Sequence, residues 1–85
     1  MSRGKGEPAM NLNEVRTGKN GRVLSVDGRT DFQRRITAVG ITPGSSFSVV
    51  QNEKKYPMLL NIRSTLLAVD KEDCTGIVVE VAEHD

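Results

Sequence analysis

Between Arg22 and Val81 the apolar residues fall into five short runs separated by turn signals, and only once do they switch to helical spacing. Arg22 to Val26 alternates, with Val23 on one face and Leu24 and Val26 on the other. Ser46 to Gln51 sets Phe47 and Val49 on one face, and Pro57 to Arg63 aligns Met58, Leu60 and Ile62. Leu66 to Val69 is a fourth run, and the fifth aligns Ile77, Val79 and Val81. Alternation of this kind marks β-strands. Asp27-Gly28, Pro43-Gly44, the polar stretch 52–55, Ser64-Thr65 and the stretch 70–76 punctuate them. Strands this short expose their edges unless the sheet closes on itself. Five strands and one helix in 85 residues therefore predict a mainly β fold, a small closed barrel. The expected inward set is Val23, Phe47, Val49, Leu60, Ile62, Leu67, Val69, Ile77, Val79 and Val81.

The helical stretch is Asp31 to Val39. Phe32, Ile36 and Val39 recur at i, i+4 and i+7 as one apolar stripe, with Ile36 and Val39 capping an opening of the barrel. Thr30 or Asp31 supplies the N-cap oxygen. Gly40 ends the helix at C′, where a positive φ is commonly needed, and Ile41 folds back on the last turn. Gly40 and Gly44 are read as structural, with Pro43-Gly44 turning into the next strand. Upstream, Asn13 caps a single helical turn that points Leu12 and Val15 inward. Residues 1–10 read as a disordered tail, 11–82 as the folded domain and 83–85 as a frayed end.

Composition narrows the function. Three aromatics (Phe32, Phe47, Tyr56) and no Trp leave no stacking platform for bases. A net charge of +1 gives little pull on nucleic acid, so none is expected as a partner. The single cysteine, Cys74, fits a reducing cytosol, and no apolar run is long enough for membrane insertion. The one histidine, His84, lies next to the C-terminal residue, and no metal-ligand, phosphate-loop or dinucleotide motif is present. The expectation is a binding module, not an enzyme, with no cofactor, catalytic residue or metal site. Charge is uneven along the chain. Residues 1–63 carry eleven Lys/Arg against five Asp/Glu, a net +6, and residues 64–85 carry one against six, a net −5. Such a chain either cancels charge on folding or keeps a bipolar surface.

The stretch Gln33-Arg34-Arg35-Ile36-Thr37-Ala38-Val39-Gly40-Ile41-Thr42-Pro43-Gly44 resembles the central motif of the ferrous iron transport protein A (FeoA) family. Leu12 to Val15, Gly18, Gly21 and Val23 resemble the family's opening block. Leu67-Ala68-Val69 with Glu72, Asp73, Cys74, Ile77 and Val79 resembles its closing block. The resemblance implies an SH3-like barrel with one inserted helix, and a small cytoplasmic accessory role in ferrous iron uptake through contact with the cytosolic part of a FeoB-type membrane GTPase permease. The same barrel type is fused to metal-dependent repressors, so the alternative is an SH3-like module associated with such a regulator or with nucleic acid, using Arg34, Arg35, Lys54, Lys55 and the basic N-terminal tail. A metal-binding chaperone is a third reading. Three positions depart from the family pattern. Ser64 stands where Gly is frequent, Asp70 where a basic residue is frequent, and Cys74 where Ala is usual.

The candidate interface follows from apolar residues left outside the inward set: Val50, Leu59, Leu66 and Val78. A contiguous patch of these marks contact with a partner or a second copy. Otherwise the N-terminal turn and helix cover them. Leu59 and Leu66, on strands joined by a short turn, are the chief candidates, with Arg35 and Asp70 as the charged ones. Arg35 lies at the edge of the stripe, about 40° from Val39. It either pairs with a carboxylate or turn carbonyl and fixes the helix on the barrel, or faces a partner. Cys74 is either a small buried apolar residue or a reactive thiolate. Asp70, Glu72 and Asp73 are read as ordinary charge rather than an iron site.

Overall fold

A computed structural model describes residues 9–82, so the sequence-based assignments for residues 1–8 and 83–85 lie outside the described chain. Among the described residues six strands form one antiparallel sheet: β1 (Met10–Asn11), β2 (Asn20–Val26), β3 (Ser46–Gln51), β4 (Met58–Ile62), β5 (Thr65–Val69) and β6 (Ile77–Val81). Their order is β1-β6-β2-β3-β4-β5. Between them lie a 3-10 turn (Leu12–Glu14), helix α1 (Thr30–Ala38) and a single helical turn, α2 (Lys71–Cys74). The sheet curls around Val23, Phe47, Val49, Met58, Leu60, Ile62, Val69, Ile77 and Val79, all buried. Leu12, Val15, Ile36, Ile41 and Cys74 close this core from the connections, as the inward Leu12 and Val15 anticipate.

The extra strand is β1. Met10 pairs with Val79 and Asn11 with Val78, so Met10, placed in the tail by composition, joins the sheet and packs on the core. Two residues carry no alternation, which is why no pattern reveals them. At the other end Ala82 still donates its N–H to the Asn20 carbonyl at 2.8 Å. The backbone ladder does not close fully, because it runs from β1 at one edge to β5 at the other. α2 packs against the 3-10 turn between those edges.

Two register shifts break the simple alternation. In β2, Val23 pairs with Val79 and Ser25 with Val78, which leaves Leu24 as the extra residue. A bulge resets which face the following residues occupy. Val26, expected opposite Val23, therefore packs on the core beside it, while Leu24 is exposed. In β3 the shift falls between Val49 and Gln51, and Val50 is exposed. Leu67 and Val81 are only partly buried, because Leu67 lies on the outermost strand β5 and Val81 ends β6.

α1 begins one residue earlier than its stripe predicts. Arg29, not Thr30 or Asp31, is the N-cap and makes no side-chain cap bond, while the Asp31 carboxylate accepts the adjacent Phe32 N–H. Asn11, not Asn13, precedes the 3-10 turn and likewise makes no side-chain cap. At its C-terminus α1 follows expectation. Gly40 has φ +103°, the Ile41 N–H reaches the Ile36 carbonyl and the Gly40 N–H reaches the Thr37 carbonyl. This paired pattern is a Schellman motif, with Ile36 and Ile41 buried as its apolar contact. Val39 is the C-cap rather than the last stripe residue, and at 46% exposure it does not plug the barrel. Pro43-Gly44 then turns the chain, with Ser45 N–H bonded to the Thr42 carbonyl and Gly44 at φ +93°. Gly44 N–H and Ser45 carbonyl bond Val23 of β2, so the helix exit is locked onto the barrel wall.

Candidate partner interface

The interface candidates are positioned by the β4–β5 hairpin. Leu60 pairs with Leu67, Met58 with Val69 and Ile62 with Thr65, so most of this set turns inward. The intervening residues turn outward: Leu59 opposite Ala68 and Asn61 opposite Leu66. Leu59 and Leu66 therefore share the outer face as a diagonal pair, close enough for two long side chains to meet. They differ in exposure. Leu66 is 60% exposed, whereas Leu59 is half-buried beside Gln51 of β3. Exposed Val50 precedes Gln51 on β3. Val78 does not belong to this patch. It lies on β6, separated from β3 by β2, and is half-buried under β1 through its pairing with Asn11.

The hairpin loop is Arg63-Ser64, with φ +56° and +65°. Two consecutive positive φ values belong to the tight turn whose twist matches that of the flanking strands. Glycine usually takes such a position, and this chain holds it with Ser64.

Arg35 lies on α1, and Asp70 directly follows the end of β5. The Arg35 guanidinium donates to the Asp73 carboxylate at 3.2 Å and stands 5.6 Å from the centroid of the Phe32 ring. α1 is thus tied to α2, while the Arg35 side chain stays 60% exposed. Asp70 is exposed at the start of α2, where its backbone carbonyl, not its carboxylate, accepts the Cys74 N–H. Cys74 is buried, with its thiol directed at the Val69 carbonyl at 3.9 Å. Burial, with a smaller contribution from the Asp73 charge, pushes its pKa up from 9.0 to about 12. The thiol is therefore held neutral, opposite to what a nucleophile or metal ligand needs. Among the described residues no group of three His, Cys, Asp or Glu side chains converges to hold a metal ion. No described helix is long and apolar enough to cross a membrane.

Three polar anchors escape sequence reading because their partners are backbone carbonyls of other segments. The Asn52 amide donates to the Asn13 and Val15 carbonyls at 3.1 and 2.7 Å, pinning the 3-10 turn to the end of β3. Gln33 donates to the Val26 and Gly28 carbonyls. Lys71 Nζ donates to the Glu53 carbonyl at 2.8 Å, joining α2 to the β3–β4 loop. Only Gln33 carries a sequence signal, its place at the head of the central motif.

The family model of the FeoA domain matches residues 10–81. A Porphyromonas gingivalis protein, a fusion of Fe(2+) transport protein A with Fe(2+) transporter FeoB, is 32% identical over 73 residues. That match covers 85% of this chain but 9% of the fusion protein, so the chain spans less than a tenth of that relative's length. Among solved structures, the FeoA-like protein of Clostridium acetobutylicum superimposes with a TM-score of 0.82 at 26% identity, over 93% of this chain and 94% of that one. Stenotrophomonas maltophilia FeoA, an SH3 domain protein complexed with zinc, has a TM-score of 0.71 at 24% identity, over 82% and 88% of the two chains. The SH3-like barrel, its inserted helix and the near-complete span of the family model together place the chain in the FeoA domain family.

Proposed function

We propose that this chain is a non-enzymatic accessory module of ferrous iron transport, and that the outer face of its β4–β5 hairpin docks on the cytosolic part of a FeoB-type permease. The observation that carries this reading is the Porphyromonas gingivalis relative, in which Fe(2+) transport protein A and FeoB are one polypeptide. Covalent linkage holds two modules at a fixed ratio and a high effective concentration, which favours modules that touch. Leu66 supports the choice of face, since a side chain so exposed on a strand has apolar area to bury. Arg35 is a supporting element rather than a contact, and Asp70 borders the hairpin as a charge that sets orientation.

The test is Leu59→Ser with Leu66→Ser, read by co-purification with the permease and by thermal melting. Burying one such side chain is worth about 1.5–3 kcal/mol. Binding should therefore fall by about tenfold or more, while the fold survives. Wild-type co-purification with an intact melt would refute this face. A regulator or nucleic-acid role would instead show as DNA binding that weakens steeply with salt.

A further inference from the structure

Among the described residues β5 is an edge strand with β4 as its one hydrogen-bonded neighbour. In a hairpin closed by two residues, the pair flanking the loop exchanges both backbone bonds, and bonded and non-bonded pairs then alternate. Ile62–Thr65, Leu60–Leu67 and Met58–Val69 are thus the bonded pairs. The amides and carbonyls of Leu66 and Ala68 consequently point away from β4, toward the open edge. Both residues are exposed. The edge also lacks the usual protections, since Thr65–Val69 contains no proline, no charge and no bulge. The flanking charges, Arg63 and Asp70, are of opposite sign.

We propose that this edge pairs with the same edge of a second copy of the chain, as a symmetric antiparallel ladder centred on Leu67. That register sets Leu66 of one copy opposite Ala68 of the other, large against small on the outer face, and makes both such pairs hydrogen-bonded. Leu67 meets Leu67, covering a side chain that a single barrel buries only in part. Asp70 of one copy comes opposite Ser64 and beside Arg63 of the other, while Lys71, next in register, has its ammonium bonded to the Glu53 carbonyl of its own copy, so Asp70 and Arg63 set the charge at the strand ends. A register centred on Leu66 would instead set Val69 against Arg63. The second copy is the occupant argued for because the strand answers its own pattern: apolar in the middle, small opposite large, opposite charges at the ends. Pairing extends the sheet sideways and leaves Leu59 and Leu66 of both copies on one continuous surface. The proposal does not depend on the permease, because it is read on the isolated chain.

The experiment is sedimentation equilibrium of the full chain from micromolar to millimolar concentration, together with backbone amide exchange. A monomer–dimer equilibrium is expected, with the Leu66 and Ala68 amides slowing as concentration rises. Ala68→Pro removes an edge-facing N–H and no bond to β4, and should weaken the dimer about tenfold or more with an unchanged melt. Should that variant fail to fold, Leu66→Lys sets like charges on the two paired strands and should also weaken the dimer. A chain that stays monomeric at millimolar concentration overturns the proposal. So does a dimer whose Leu66 and Ala68 amides exchange freely, or one that folded forms of both variants leave unmoved. Protection that arises only on adding a permease segment would reassign the edge to that partner.

Discussion

The Arg35 guanidinium bridges two elements that are distant in sequence, meeting Asp73 at 3.2 Å while standing 5.6 Å from the Phe32 ring of its own helix. Phe32 itself sits against Gly28 and Gly76, where any Cβ would press on its ring. Phe32, Arg35 and Asp73 thus hold α1 and α2 together on one side of the barrel.

That bridge is expected to contribute little energy. Its side chains are 60% and 30% exposed, so water screens the attraction. A double-mutant cycle with Arg35→Ala and Asp73→Ala, read by urea denaturation, should give a coupling of about 1 kcal/mol or less, smaller at high salt. A much larger coupling that salt leaves unchanged would mean that the pair is a buried structural unit.

Gly40 is a second point of test. Nothing lies within 4 Å of a Cβ built there, so a side chain meets no steric obstacle, only the backbone penalty at φ +103°. Gly40→Ala should destabilise by about 1–2 kcal/mol, seen as a lower urea midpoint with an unchanged slope. An unchanged midpoint would show that the Schellman exit is not energetically important.

Ser64 offers the opposite sign. It holds φ +65° without glycine's freedom, next to Arg63 in the same region. Ser64→Gly should raise stability by roughly 0.5–1 kcal/mol, because relief of the left-handed strain outweighs the added entropy of the unfolded chain. A lower melting temperature would show that the Ser64 side chain contributes more than its backbone angle suggests.

Cys74 predicts a pH dependence. Its pKa is raised from 9.0 to about 12 in the fold, so the folded state keeps a proton that the unfolded state has released. This contribution is fully present below pH 9.0 and is lost as pH rises toward about 12. Urea midpoints measured across that window should fall more steeply for the native chain than for Cys74→Ala. In the native state the thiol should also react slowly with an alkylating agent, at a rate that follows unfolding.

Several features of this protein are local enough to be carried by the sequence alone. Four of the six described strands follow from period-two alternation and β5 from an apolar run after the Ser64-Thr65 turn, α1 follows from the spacing of Phe32 and Ile36, and its exit from Gly40 followed by Ile41. The three spaced blocks point to the FeoA family without a fold in hand, and the outward position of Leu66 follows from the parity of a strand whose pairing has no bulge. Tertiary structure decided whatever depends on pairing across the sheet. The bulge at Leu24 turned Val26 inward, which single-strand parity cannot anticipate, while Leu24 and Val50 lie outside as parity has them. The end of α1 at Ala38 moved Val39 into solvent. β1, the Asn52 and Lys71 anchors and the partner of Arg35 all join residues far apart in the chain. Sequence periodicity records which face of an element is apolar. Which neighbour that face meets, and in what register, is decided only when the sheet curls and brings its distant strands side by side.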